Sequence, residues 1–250
     1  MKKIAIYKVV IGAYDSITLD SLKTAESTSS LCFEHFLISD QYIEVPETWT
    51  LIQISRKFVS PAVENRYYKM GVPSIFDDYD YSIYLDGNIV INDDLTNLIK
   101  KIIIDDHYIY AYPHFKNSTI KEEIENCFVF SRISWYDMLK IKRKLKYNLN
   151  EKVGFECGVL IRKKRNKELD DLFKTWFELY FNNIRRDQFY FSIALKKHGL
   201  ICREIGVNDI RTGKGFFSLH PHKNKISIMN KIYIALKMRI YSKLHNMKGI

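Results

Sequence analysis

Cysteine is scarce in this sequence, with four in 250 residues, at positions 32, 127, 157 and 202. None stands in a CxxC pair and no His lies at ligand spacing beside them. That argues against a zinc site or a disulfide scaffold and fits a reducing compartment, the cytosol. Glycine (10) and proline (5) are too few for a collagen-like or linker-like chain. No run of eighteen or more apolar residues occurs, so there is no transmembrane-helix signal. Internal repeats and low-complexity segments are absent. Acidic residues are in the minority: 29 Asp plus Glu against 39 Lys plus Arg leave a net charge of +10. That surplus points to anionic partners, whether nucleotide phosphates, nucleic acid or an acidic lipid surface. The rest is 46% hydrophobic, 14% aromatic and 27% charged, which excludes a disordered chain and can fill a core without covalent staples.

Apolar β-branched runs alternate with amphipathic ones. Residues 3–11 read as a buried first strand. The segment loosely imitates a secretory signal, but Lys8 interrupts the apolar run and Asp15 follows with no A-x-A cleavage site. Residues 32–38, 50–54, 81–85, 108–112, 155–162 and 200–204 read as further strands, with 89–91 after a sharp turn. Helices are expected from Ser60-Pro61 through Lys69, from 94 to 104 behind an Asn92-Asp93 cap, and over 118–130, 135–147, 167–182 and 187–198. Such alternation predicts an α/β domain over residues 1–222, with a largely parallel sheet covered by helices. Sheets of this kind bind ligands beyond the carboxyl ends of their strands.

The segment richest in chemistry is YDYSIYLDGN, Tyr79 to Asn88. An apolar strand delivers an acid, a glycine and an amide into a turn. Asp86 can ligate a divalent cation and Asn88 offers a further oxygen, while Gly87 lets the backbone approach a diphosphate; Mg²⁺ and Mn²⁺ take such oxygens together with phosphate. Asp-Gly between alternating apolar residues is also a β-hairpin signal.

The neighbours of that segment carry a resemblance. Gly12-Ala13-Tyr14-Asp15 follows the first strand, Phe36 through Ser39-Asp40 ends the second, and Trp49 precedes the third. Asn65-Arg66-Tyr67-Tyr68-Lys69 comes before YDYSIYLDGN; His114, Glu122-Glu123, Gly154 through Arg162 and Arg185 through Phe191 come after it. In this order, over about residues 4–200, the series resembles a glycosyltransferase-like family of plants and bacteria in which DGN or DGK replaces the DxD of GT-A glycosyltransferases. More loosely, FECGVLI followed by RDQ looks like the FNxGV…DQ arrangement of retaining GT-A enzymes related to glycogenin and galactinol synthases. The resemblance implies a GT-A fold, with a nucleotide-binding half first and an acceptor-binding half second. It also implies a nucleotide-sugar donor and Mn²⁺ or Mg²⁺.

Site residues follow from that resemblance. Asp86 and Asn88 would hold the metal and diphosphate, with His220 of His220-Pro221-His222 as a third metal ligand or else a surface histidine. Arg66 and Lys69, three apart on one helix face, would bind the donor phosphates or else form a solvated surface. Gly12, Tyr14 and Asp15 match the loop that holds base and ribose, though Gly12 and Asp15 also suit a plain turn. Glu156 interrupts an apolar strand beside Gly158. It is a candidate to bind sugar hydroxyls or serve as base or nucleophile; the plainer alternative is an exposed edge-strand residue. Asp187, with Gln188, would face the donor sugar, although Asp187 also suits a helix N-cap. His114 and Arg186 would contact the acceptor; the family's Arg after this His is replaced here by Lys116-Asn117.

Residues 223–250 form a second unit, with six Lys and one Arg and neither Asp nor Glu. Ile226, Met229, Tyr233, Leu236, Ile240, Leu244 and Met247 recur at steps of three or four, the pattern of an amphipathic helix. It would lie on an anionic membrane surface, or else pack on the domain or on a partner subunit. The expectation is a cytoplasmic glycosyltransferase, peripheral on the inner membrane face. It would transfer sugar to a saccharide or lipid-linked acceptor in polysaccharide or lipopolysaccharide synthesis. The rivals are a catalytically silent nucleotide-binding scaffold and a nucleic-acid-binding protein. The second is disfavoured because the charge sits in the tail and no helix-turn-helix, zinc or RNP signature occurs.

Overall fold

The apolar run at the start of the sequence becomes β1 (Lys2–Val10), buried from Ile4 onward. The structure is a computed structural model that describes residues 1–12, 17, 22–116, 118–207, 210–220, 233–237 and 239. β1 pairs in parallel with β2 (Leu31–Ser39) on one side and β4 (Tyr81–Leu85) on the other, and β3 (Trp49–Gln53) adds to β2. β7 (Phe155–Lys163) pairs antiparallel with both β4 and β6 (Ile109–Pro113), and β8 (Cys202–Glu204) runs parallel to β6. The seven strands lie in the order β3-β2-β1-β4-β7-β6-β8. The sheet is therefore mostly parallel, as expected, but β7 runs against the rest. Periodicity reports that a strand is buried, not which way it runs. The architecture is α/β and consistent with a Rossmann-like fold.

Among the described residues, six α-helices flank the sheet: α1 (Pro61–Met70), α2 (Thr96–Asp105), α3 (Ile120–Val129), α4 (Trp135–Lys144), α5 (Lys167–Phe181) and α6 (Asp187–His198). The period-2 alternation of β1 sorts them. Ala5, Tyr7 and Val9 enter one core with residues of α1, α3, α4, α5 and α6, while Ile4 and Ile6 enter a second with α2. Capping boxes start α3 (Thr119 with Glu122) and α4 (Ser134 with Asp137). α2 begins later than expected. Asn92-Asp93 does not cap it; instead Asp94 Oδ1 accepts from the Thr96 amide at 2.9 Å.

Two further short strands decide the fate of the Asp-Gly turn. β5 (Ile89–Ile91) pairs antiparallel with β9 (Phe217–Leu219) in a separate two-stranded sheet. Asp86-Gly87-Asn88 is thus no hairpin: it carries the chain from the end of β4 into a different sheet. β9 was not expected from the sequence, because three residues in a polar stretch give no periodic signal. No helix among the described residues is long and apolar enough to cross a membrane. Most of the stripe in residues 223–250 lies outside the described residues. Within it, residues 233–237 form a helical turn, and Lys237 Nζ donates to the Phe128 carbonyl at 2.8 Å at the end of α3.

Candidate functional site

A cleft of about 720 Å³ opens where the carboxyl end of β4 meets the start of β7, the last turns of α1 and the first turn of α6. α1 is clamped from several sides. Buried Asn65 donates through Nδ2 to the Val9 carbonyl at 2.8 Å, at the end of β1. Glu64 accepts the amides of Lys57 (2.9 Å) and Phe58 (2.7 Å). From β7, the fully buried Arg162 donates to the Lys69 carbonyl at 2.8 Å and to the Tyr7 hydroxyl. The face thus held towards the cleft carries Arg66 and Lys69.

Both cations meet Asp187. Lys69 Nζ lies 2.9 Å from Asp187 Oδ2 and 3.0 Å from Asp86 Oδ1, and Arg66 Nε lies 3.1 Å from Asp187 Oδ2. The Tyr84 hydroxyl donates to Asp86 Oδ1 at 2.7 Å. Asp187 is the first helical residue of α6, not its cap; Arg186 occupies the cap position and makes no side-chain capping bond. The Asp187 carboxylate is thereby turned from its own helix towards α1. Burial alone would raise its pKa, but Lys69, Arg66 and Arg186 outweigh it and hold the carboxyl well below the usual range. Burial would likewise lower the Lys69 ammonium, yet Asp187 and Asp86 prevail and its pKa is raised. Both groups are charged at neutral pH.

Beneath the turn, fully buried Lys8 donates to the carbonyls of Gly87, at 3.2 Å, and Ile89. A β-bulge shapes the turn from the side, as the β6–β7 register passes from Ala111 opposite Leu160 to Tyr112 opposite Glu156. The bulged segment brings the Gly158 carbonyl to the Asp86 amide at 2.8 Å. A Cβ at Gly158 would stand 2.9 Å from Ile89 Cδ1 and 3.4 Å from Asp86 Oδ2, so a side chain there would press on Ile89 and touch Asp86.

The far wall is also charged. Glu156 pairs with Arg211 at 3.0 Å, and Arg211 stacks 4.3 Å from the Phe115 ring centroid. Glu156 sits in an interior strand with its side chain 13% exposed, which removes the edge-strand alternative. Arg186 reaches Glu123 at 3.7 Å. His114 is buried, and its Nδ1 has no hydrogen-bond partner among the described residues. Burial, reinforced by Asp187, pushes the Cys157 thiol well above its ordinary pKa, so this cysteine is a protonated wall residue and not a nucleophile.

Ten of the sequence-derived candidates line this cleft: Arg66, Lys69, Asp86, Asn88, His114, Glu156, Arg186, Asp187, Gln188 and His220. His220 comes close through its backbone, its amide donating to the Asn88 carbonyl at 2.7 Å. Gly87 is buried behind the wall. Gly12 is not part of the lining; at φ +55° it makes the turn after β1, with its amide on Asp40 Oδ1 at 2.8 Å. Tyr14 and Asp15 lie outside the described residues. Sequence reasoning missed Lys8, Tyr84 and Arg211. Lys8 had a signal, since a cation inside an apolar strand must find partners. Arg211 had none. Among the described residues no three His, Cys, Asp or Glu side chains group to hold a metal ion. Asp86, Asn88 and His220 border one cleft and offer carboxylate, amide and imidazole donors. These are donor types that a divalent cation takes together with phosphate oxygens and water.

No protein-family model matches the sequence, and no curated protein matches it.

Proposed function

We propose that the chain is a GT-A-like glycosyltransferase moving a sugar from a nucleotide-sugar donor to a saccharide or lipid-linked saccharide in cell-surface polysaccharide or lipopolysaccharide synthesis. The observation that carries this is the cluster of Asp86, Lys69, Asp187 and Arg66 in one cleft at the carboxyl end of β4. Parallel-type sheets bind ligands at that edge.

In the reaction the bond from the anomeric carbon to the diphosphate oxygen breaks, with its electron pair leaving on the diphosphate. The acceptor hydroxyl oxygen forms the new bond and its proton passes to a carboxylate. Charge grows on the leaving group, so Arg66 would hold phosphate oxygens through its planar fork and Lys69 as a point charge. Asp187, tied to both, is a poor proton acceptor; it orients the cations and faces positive charge developing at the anomeric carbon. Glu156, with one ion pair where Asp187 has two, is the proton acceptor in this reading, and Arg211 fixes its carboxylate. Gln188 and Arg186 line the wall beside Asp187, where donor and acceptor hydroxyls would bind, and the buried Nδ1 of His114 is a polar atom that such a hydroxyl would satisfy. Asp86, Asn88 and His220 would hold Mn²⁺ or Mg²⁺, which supplies Lewis-acid neutralisation of the diphosphate.

A nucleotide-binding scaffold without turnover is the second reading, favoured by the bond that Lys69 already makes to Asp86. Thermal unfolding against a panel of nucleotide-sugars, with and without Mn²⁺, separates the readings when combined with a sugar-release assay. A donor at ~100 times its Kd adds about 2.7 kcal/mol, or roughly 5–10 °C in Tm. The transferase reading expects that shift for one donor, its loss in Asp86→Ala, and release of sugar. A shift without release supports the scaffold. No shift for any nucleotide overturns both.

A further inference from the structure

α4 turns a second face away from the core. Met138, Ile141 and Leu145 are buried, while Tyr136, Leu139, Lys140 and Arg143 share the opposite side at steps of three and four. Trp135, Tyr136 and Leu139 are 48%, 71% and 49% exposed, unusual for such residues on a helix that also has an apolar core face. Residues 130–147 contain six Lys or Arg against one acid, Asp137, and that acid is engaged in the capping box. The 233–237 turn adjoins this face through Lys237. Trp135 packs on Phe128 at 5.2 Å between centroids, and Lys237 Nζ lies over the same Phe128 ring, 4.0 Å from its centroid. Its helical turn adds exposed Tyr233 and Leu236. Exposed aromatic rings beside concentrated cations suit one environment above others. Indole and phenol rings partition to the water–lipid interface, and Lys and Arg are drawn to anionic headgroups. A nucleic-acid surface would use the cations but gain little from Leu139 and Phe130.

We infer that this α4 face, continued by the 233–237 turn, docks on an anionic lipid bilayer. Trp135, Tyr136 and Leu139 enter the headgroup region, and Lys140 and Arg143 lie on the charged headgroups. The inference does not depend on the transferase reading. Phe130 and Arg132, at the α3–α4 corner, also line the cleft, so its mouth borders the docked surface.

The molecule carries its own probe. Of three tryptophans, Trp49 and Trp176 are buried and Trp135 is exposed. Full-length protein is mixed, without donor or acceptor, with vesicles of phosphatidylcholine or of equal parts phosphatidylcholine and phosphatidylglycerol. Co-sedimentation and a blue shift of emission are expected with the anionic vesicles alone, both weakening as salt rises. Trp135→Phe should abolish the shift. Lys140→Glu with Arg143→Glu should lower partitioning about tenfold or more, with the thermal unfolding midpoint unchanged as the control for folding. Absence of binding to anionic vesicles overturns the inference. So does binding that these charge reversals leave intact, or binding of duplex DNA in preference to vesicles.

Discussion

Lys69 buries an ammonium between two carboxylates. Each attraction at about 3 Å amounts to ~5 kcal/mol at an effective dielectric constant of about 20, which together exceed a desolvation cost of several kcal/mol. The group therefore stays charged. The partner carboxylate sets a pH dependence. Asp187 has a depressed pKa in the folded state, so the unfolded chain takes up its proton first as pH falls below about 4. Its contribution is complete above that pH and is lost progressively as pH drops towards the folded value. Lys69 is the opposite case: its pKa is raised, so its contribution is complete below about 10.4 and fades as pH rises through the folded value. Asp187→Asn is expected to cost about 3–5 kcal/mol at pH 7 and to flatten the acid limb of the stability curve. Urea midpoints for both proteins between about pH 3 and pH 7 check this; parallel curves would show that Asp187 is not the group responsible. Much of this cluster was legible in the sequence, since Asp86 follows an apolar strand, Arg66 and Lys69 share one face of a helix, and Asp187 opens another. What joins them was not, because a pairing across 118 positions (69 to 187) depends on the sheet order.

Helix α1 shows how an element is aimed. Its direction rests on Arg162, which sits on another strand and holds the Lys69 carbonyl. Arg162→Met should keep the volume and remove the bonds, at a cost of about 3 kcal/mol. Its Tm should fall by roughly 6–12 °C, and nucleotide-sugar affinity should fall with it. A Tm drop with affinity intact would mean that Arg162 holds the core but does not aim α1. Thr119→Ala is a milder case: loss of the α3 cap should cost about 1 kcal/mol, or roughly 2–4 °C. Elements were legible where length and period agreed. β4 and β5 fall on the expected residues, and α5 and α6 within one residue of expectation. β9 and the reversal of β7 were not, because a strand of three residues carries no period and a buried strand reads alike in both directions. Lys8 and Arg162 broke the apolar pattern of their strands, and each break marked a buried cation that braces the cleft.

At the scale of the molecule, β1 has neighbours on both edges and a core on both faces. Its amides should exchange with solvent more slowly than those of β3 and β8 at the sheet edges, which hydrogen exchange by mass spectrometry can read peptide by peptide. Faster exchange in β1 than in β3 would contradict the two-core description. The sheet is also ordered in time. β1 to β4 are consecutive in the chain and form one side, while β6, β7 and β8 form the other. A ribosome adding roughly 5–20 residues per second releases the first side complete, with Lys69 and Asp86 already able to meet. β4 must then wait as an open edge until residues 155–163 arrive, and Asp187 follows later still. For those seconds the nascent chain displays one open edge of an apolar strand, Tyr81–Leu85, a surface of the kind that chaperones bind.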